Sequence, residues 1–89
     1  MKTTFIFGAP RSGTTWLWSM VSAHPMVAPY NIKGRSESGA YLKKNASENI
    51  RNFAMLHKRM TILEKTPAHV FHERQIRADF PNSRNIVLF

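Results

Sequence analysis

A compact β-branched and aromatic run, Thr3 to Phe7, stops at Gly8 and predicts a strand. Thr14 to Ala23 then follows a helical rhythm, closed by His24-Pro25 because proline disfavours helix in the residue before it. From Val27 to Lys44 the rhythm is lost. Pro29, Gly34 and Gly39 interrupt scattered serines and lysines, and the stretch reads as a long functional loop. Asn45 and Glu48 have the spacing of a capping box, and Ile50, Phe53, Ala54 and Leu56 or His57 recur at helical spacing up to Lys58-Arg59, predicting a second helix. Met60 to Glu64 is a second strand, and Thr66-Pro67 supplies an N-cap and a first-turn proline for a third helix from Pro67 to Asp79. Phe80-Pro81-Asn82 ends it, and Asn85 to Phe89 forms a third strand.

The order strand, helix, loop, helix, strand, helix, strand predicts an α/β fold: a parallel sheet with right-handed crossovers, flanked by helices. Three strands and three helices bury little apolar surface against the cost of ordering the chain, so marginal stability or self-association is expected. With 89 residues the expectation is one domain over 1–89.

Composition narrows the function classes. Hydrophobic residues make up 43% and charged residues 20%, which suits neither a disordered nor a membrane-embedded chain. No apolar run approaches the ~20 residues a membrane span needs, and Met1-Lys2-Thr3-Thr4 leads straight into a strand without a signal segment, so no membrane span and a cytoplasmic location are expected. The absence of cysteine excludes disulfides, a thiolate nucleophile and Cys-ligated metal centres. Thirteen Lys and Arg against five Asp and Glu give a net charge of +8, which favours a polyanionic partner. Nucleic acid is the weaker choice, because Trp16, Trp18, Tyr30 and Tyr41 do not interleave with the basic residues on one strand face.

The segment Gly8-Ala9-Pro10-Arg11-Ser12-Gly13-Thr14-Thr15 follows the first strand and opens the first helix, with the spacing of a phosphate-cradling loop. Thr14 stands where that motif has lysine. Glycines at both ends let the backbone approach an oxyanion, and the N–H groups and positive dipole end of the helix point at it. Ser12, Thr14 and Thr15 add hydroxyls, and Arg11 a planar cationic fork. A nucleotide kinase wants the loop lysine and a strand-end carboxylate for magnesium, and Ile86-Val87-Leu88-Phe89 offers no acid.

Phe7 to Leu17 resembles the 5′-phosphosulfate-binding loop of sulfotransferases that use 3′-phosphoadenosine-5′-phosphosulfate (PAPS). Glu64-Lys65-Thr66-Pro67, a helix, and Phe80-Pro81-Asn82-Ser83-Arg84-Asn85-Ile86-Val87-Leu88 are similar to the stretch before the 3′-phosphate site of carbohydrate- and tyrosylprotein-type members. The likeness covers residues 3–26 and 61–89. It implies a three-layer P-loop-like sheet, with a phosphosulfate-binding strand, loop and helix over 3–26 and a strand, helix and strand over 60–89 leading toward the 3′-phosphate site. The implied chemistry is sulfuryl transfer from PAPS to a hydroxyl or amine of a carbohydrate, protein tyrosine or small molecule, with no metal. Ala9, Pro10, Arg11, Ser12, Gly13, Thr14, Thr15 and Trp16 would hold the donor. Family members continue with Arg-Asp-Pro and 3′-phosphate-binding residues, so the 89 residues are expected to be the N-terminal part of a larger catalytic domain. A catalytically inactive nucleotide- or anion-binding fragment and a P-loop kinase-like protein are the alternatives.

For the base that takes the acceptor proton, the acids are Glu37, Glu48, Glu64, Glu73 and Asp79. Glu48 suits a helix N-terminus, while Glu73 and Asp79 share the third helix with Arg74, Arg77 and His72 and read as a solvated face. By the resemblance, Glu37 is the base, in Ser36-Glu37-Ser38-Gly39-Ala40-Tyr41 where glycosaminoglycan-type members carry Lys-Glu-x-x-aromatic, and Glu64 is its alternate. Lys65 would stabilise charge on the sulfuryl or bridging oxygens. His24, His57, His69 and His72 read as structural or solvent-facing, and Trp16, Trp18, Met20 and Val21 as core or cover for the sheet.

Overall fold

The computed structural model describes residues 2–9, 13–30, 38–58 and 60–88. Strands β1 (Lys2–Gly8), β2 (Val27–Pro29), β3 (Thr61–Lys65) and β4 (Arg84–Leu88) form one all-parallel sheet in the order β2-β3-β1-β4. Helices α1 (Thr14–Ser22), α2 (Ala46–Leu56) and α3 (Glu73–Asp79) connect them, with single-turn 3₁₀ geometry at Ala40–Leu42 and a longer 3₁₀ run at Pro67–His72. The chain is therefore an α/β domain, as the alternation of elements requires.

Strand order fixes which face each helix covers. Travel from β1 to β2 runs one way across the sheet, whereas β2 to β3 and β3 to β4 run the other way, so right-handed crossovers put α1 on one face and α2 and α3 on the opposite one. Side-chain burial agrees. Phe5, Phe7 and Ile62 pack with Ile50 and Ala54 of α2, Ile76 of α3, and Phe80, whose ring lies 5.4 Å from that of Phe5. Ile6 and Leu63, buried on the alternate positions, lie outside that cluster, and α1 packs on β1, β2 and β3.

The structure corrects four expectations. A fourth strand, β2, sits inside the stretch read as loop; its register Val27↔Thr61, Ala28↔Ile62 and Pro29↔Leu63 is set by β3. Pro67–His72 is 3₁₀ rather than α-helix, with the α form confined to Glu73–Asp79. Asn45 enters α2 at φ 61°, a left-handed conformation, with no side-chain cap, so no capping box forms with Glu48; a side-chain cap requires extended backbone at that residue. Trp16 and Met20 are exposed, because Thr14, Leu17, Trp18 and Val21 form the stripe facing the sheet and positions 16 and 20 fall on the other side of a nine-residue helix.

Gly8 is where the sheet leaves no room. At φ +153° an added Cβ would lie 2.0 Å from the carbonyl oxygen of Leu88, the same oxygen that accepts the N–H of Ala9 at 3.1 Å. Gly8→Ala is expected to cost about 3 kcal/mol by forcing β4 away from β1. Chemical denaturation checks this, and a variant as stable as the parent would remove the close-approach argument.

Candidate functional site

β1 and β3 are neighbours whose following segments leave toward opposite faces, β1 into α1 and β3 into Pro67–His72. Such a divergence opens a crevice beyond the carboxyl ends of the strands, where open α/β sheets bind ligands. A cleft of about 940 Å³ lies there. Gly8, Ala9, Gly13, Thr14 and Thr15 line one side, and Thr66, Pro67, Ala68, Val70 and Phe71 the other, with Leu42 at its edge.

Gly13 precedes α1 at φ 97°, ψ 15°, a left-handed conformation that glycine adopts without strain, and the first bond of the helix runs from the Leu17 N–H to its carbonyl at 3.0 Å. The N–H groups of Thr14, Thr15 and Trp16 precede that bond and belong to the first turn, where the helix supplies them no acceptor. Thr14 is buried and Thr15 exposed toward solvent. Of the donor-loop residues, Pro10, Arg11 and Ser12 lie outside the described residues, as does Glu37; Trp16 is 67% exposed and does not line the cleft.

Lys65 and Glu64 close β3 and point to opposite sides of it. Lys65, 0% exposed, sends its Nζ to the Thr15 Oγ1 at 2.8 Å, bringing a buried cation to the first turn of α1. Glu64, 1% exposed, turns to the other face. Its Oε2 accepts from Ser38 Oγ and from Thr66 Oγ1 at 2.8 Å, and its Oε1 accepts from His69 Nδ1 at 2.9 Å. The Tyr41 N–H donates to His69 Nε2 at 3.0 Å, which assigns the ring proton to Nδ1 and directs it at the carboxylate. Thr66 Oγ1 also accepts the Gly39 N–H at 2.9 Å. Glu64 thus pins the segment around Ser38–Tyr41 to the corner after β3. Of the three residues carried as catalytic, Lys65 meets the loop, Glu64 is engaged away from the cleft, and Glu37 is the chain neighbour of the pinned Ser38.

Sequence reasoning missed the buried role of His69 and the part played by Asp79. Asp79 accepts from the Tyr41 hydroxyl at 2.8 Å and from Gln75 at 2.9 Å, so it is not simply a solvated carboxylate, whereas Glu73 does pair with Arg77 on the exposed face. One signal was present: a carboxylate inside the apolar run Ile62-Leu63-Glu64 must find partners if the run is a central strand. Burial, and then the bond to Asp79, push the Tyr41 phenol well above its ordinary value. The unfolded chain ionises this phenol first, so its contribution to stability is intact below about pH 10 and is lost as the pH climbs further. Tyr41→Phe is expected to flatten that alkaline loss, read from denaturation midpoints at about pH 8 and about pH 10.5; identical slopes in both proteins would contradict it.

No protein-family model and no curated protein sequence matches the chain. Among the described residues no helix is long and apolar enough to cross a membrane, and no group of three or more His, Asp or Glu converges as a metal site.

Proposed function

We propose that the chain carries the donor-binding half of a P-loop-like sulfotransferase, which moves a sulfuryl group from PAPS to a hydroxyl or amine. The observation that carries this reading is the meeting of a buried lysine with a glycine-capped helix start at the mouth of the sheet: Lys65 Nζ on Thr15 Oγ1, above the Gly13 turn. Backbone N–H groups, hydroxyls and a desolvated cation at one point favour a compact, multiply charged anion. Lys65 occupies the position that a lysine at residue 14 would otherwise serve, reaching the loop from the neighbouring strand.

In the reaction the bond between sulfur and the phosphate-bridging oxygen breaks as the acceptor oxygen or nitrogen bonds to sulfur, and 3′-phosphoadenosine-5′-phosphate leaves. Lys65 and the first turn of α1 would stabilise negative charge on the sulfuryl and leaving oxygens. The acceptor proton goes to Glu37 in this reading, with Ser38 held in place through Glu64. No carboxylate lines the cleft among its described residues, which favours sulfuryl transfer over magnesium-dependent phosphoryl transfer.

Calorimetry with 3′-phosphoadenosine-5′-phosphate tests the donor site. Saturable binding that weakens as ionic strength rises is expected, since the contacts are between charges. Absence of heat with this chain and with any longer form of it would end the proposal. A binding-only protein is separated from an enzyme by transfer of labelled sulfate from PAPS.

A further inference from the structure

The cleft has one side suited to an anion and another of quite different character. Pro67–His72 is a six-residue 3₁₀ run, longer than the three or four residues usual for that geometry, and its three-residue repeat sorts the side chains into eclipsed rows. His69 and His72 form one row, turned to Tyr41, with ring centroids 5.4 and 6.4 Å from the tyrosine ring. His69 is fully buried on Glu64. Ala68 and Phe71 form another row, and both line the cleft. The buried histidine therefore holds the run in one rotation, and that rotation presents Phe71 to the open cleft with 86% of its surface exposed.

We infer that Phe71 is the wall on which a planar ring of the ligand stacks while the ligand's anionic group sits at Gly13–Thr15. An exposed phenylalanine anchored by a rigid backbone loses little entropy on stacking, and ring contacts of this kind are sequence-tolerant sources of affinity. Leu42, 61% exposed and also on the cleft, adds apolar cover at its edge. The inference rests on the anion-binding reading of the loop for where the ligand is held. Its ring chemistry fits either the base of the donor or an aromatic acceptor.

The experiment compares the parent chain with Phe71→Leu and Phe71→Tyr, by equilibrium binding of three probes. These are 3′-phosphoadenosine-5′-phosphate, which has ring and anion; inorganic pyrophosphate, which has no ring; and 4-nitrophenol, which has no phosphate. Because Phe71 is exposed, both variants should melt as the parent does. The expected result is roughly tenfold weaker nucleotide binding in Phe71→Leu, recovery in Phe71→Tyr and unchanged pyrophosphate binding. Unchanged nucleotide binding with weakened 4-nitrophenol binding would support the wall and assign the ring to the acceptor. Ring-bearing probes indifferent to both substitutions, or failing to bind the parent, overturn the inference. If neither anion binds the parent, the donor reading falls by itself, and the 4-nitrophenol arm still decides the role of Phe71.

Discussion

Lys65→Met is expected to weaken binding of 3′-phosphoadenosine-5′-phosphate by roughly a hundredfold, and to depress sulfuryl transfer further, without unfolding the chain. The ammonium is wholly buried and reaches Thr15 at 2.8 Å, so its charge acts through protein rather than through water. Methionine keeps the length and most of the volume of the stem. Replacing a buried charge by an apolar group of similar shape is often neutral or stabilising, because the desolvation cost of the ion disappears. The exposed Thr15 hydroxyl returns to solvent. The expected signature is therefore a split, with a melting midpoint held or raised while affinity collapses. Calorimetry and thermal melts read the two halves. Parent-like nucleotide affinity in Lys65→Met would remove the lysine from the site.

Glu64→Ala should behave in the opposite way, with stability as the casualty. Removing the carboxylate strands the donors of Ser38, Thr66 and His69 in a buried space, each of them costly to leave without an acceptor. A loss of about 3 kcal/mol or more is expected, which for a domain this small lowers the melting midpoint by on the order of 15 °C. Glu64→Gln keeps the volume and an acceptor for His69, and the hydroxyls of Ser38 and Thr66 can turn to accept from its amide, so most of the loss should be recovered. Melts followed by circular dichroism separate the three proteins. An alanine variant melting within a few degrees of the parent would mean that the network contributes little to the fold.

The regular elements were legible because their signals are local. Phe5, Ile6 and Phe7 make a strand whatever surrounds them, and Gly13-Thr14-Thr15 starts a helix through its own backbone preferences. Val27-Ala28-Pro29 carried no such signal: three residues with a proline become a strand only because β3 offers its edge. Pro67 marked the start of its element correctly, but nothing in the local pattern sets 3₁₀ against α geometry there. In the site, Lys65 was singled out by resemblance, and its meeting with Thr15 depends on β3 lying beside β1, a pairing of residues about sixty positions apart in sequence. The Glu64 network was hidden for the same reason. Ser38 is 26 residues from Glu64, and only the closed fold brings them together.

Glu64 and Lys65 are consecutive, and the pleat of β3 sends one into the packed interior and the other to the anion loop. Their division of labour is thus a matter of parity. Deleting or inserting one residue within β3 would exchange them, setting a carboxylate against the anion's place and a lysine against the hydrogens of His69, Ser38 and Thr66. No single-residue shift between Thr61 and Lys65 leaves both tasks intact. Length variation in this protein must accordingly be absorbed on either side of the strand, and the dipeptide is inherited as one unit.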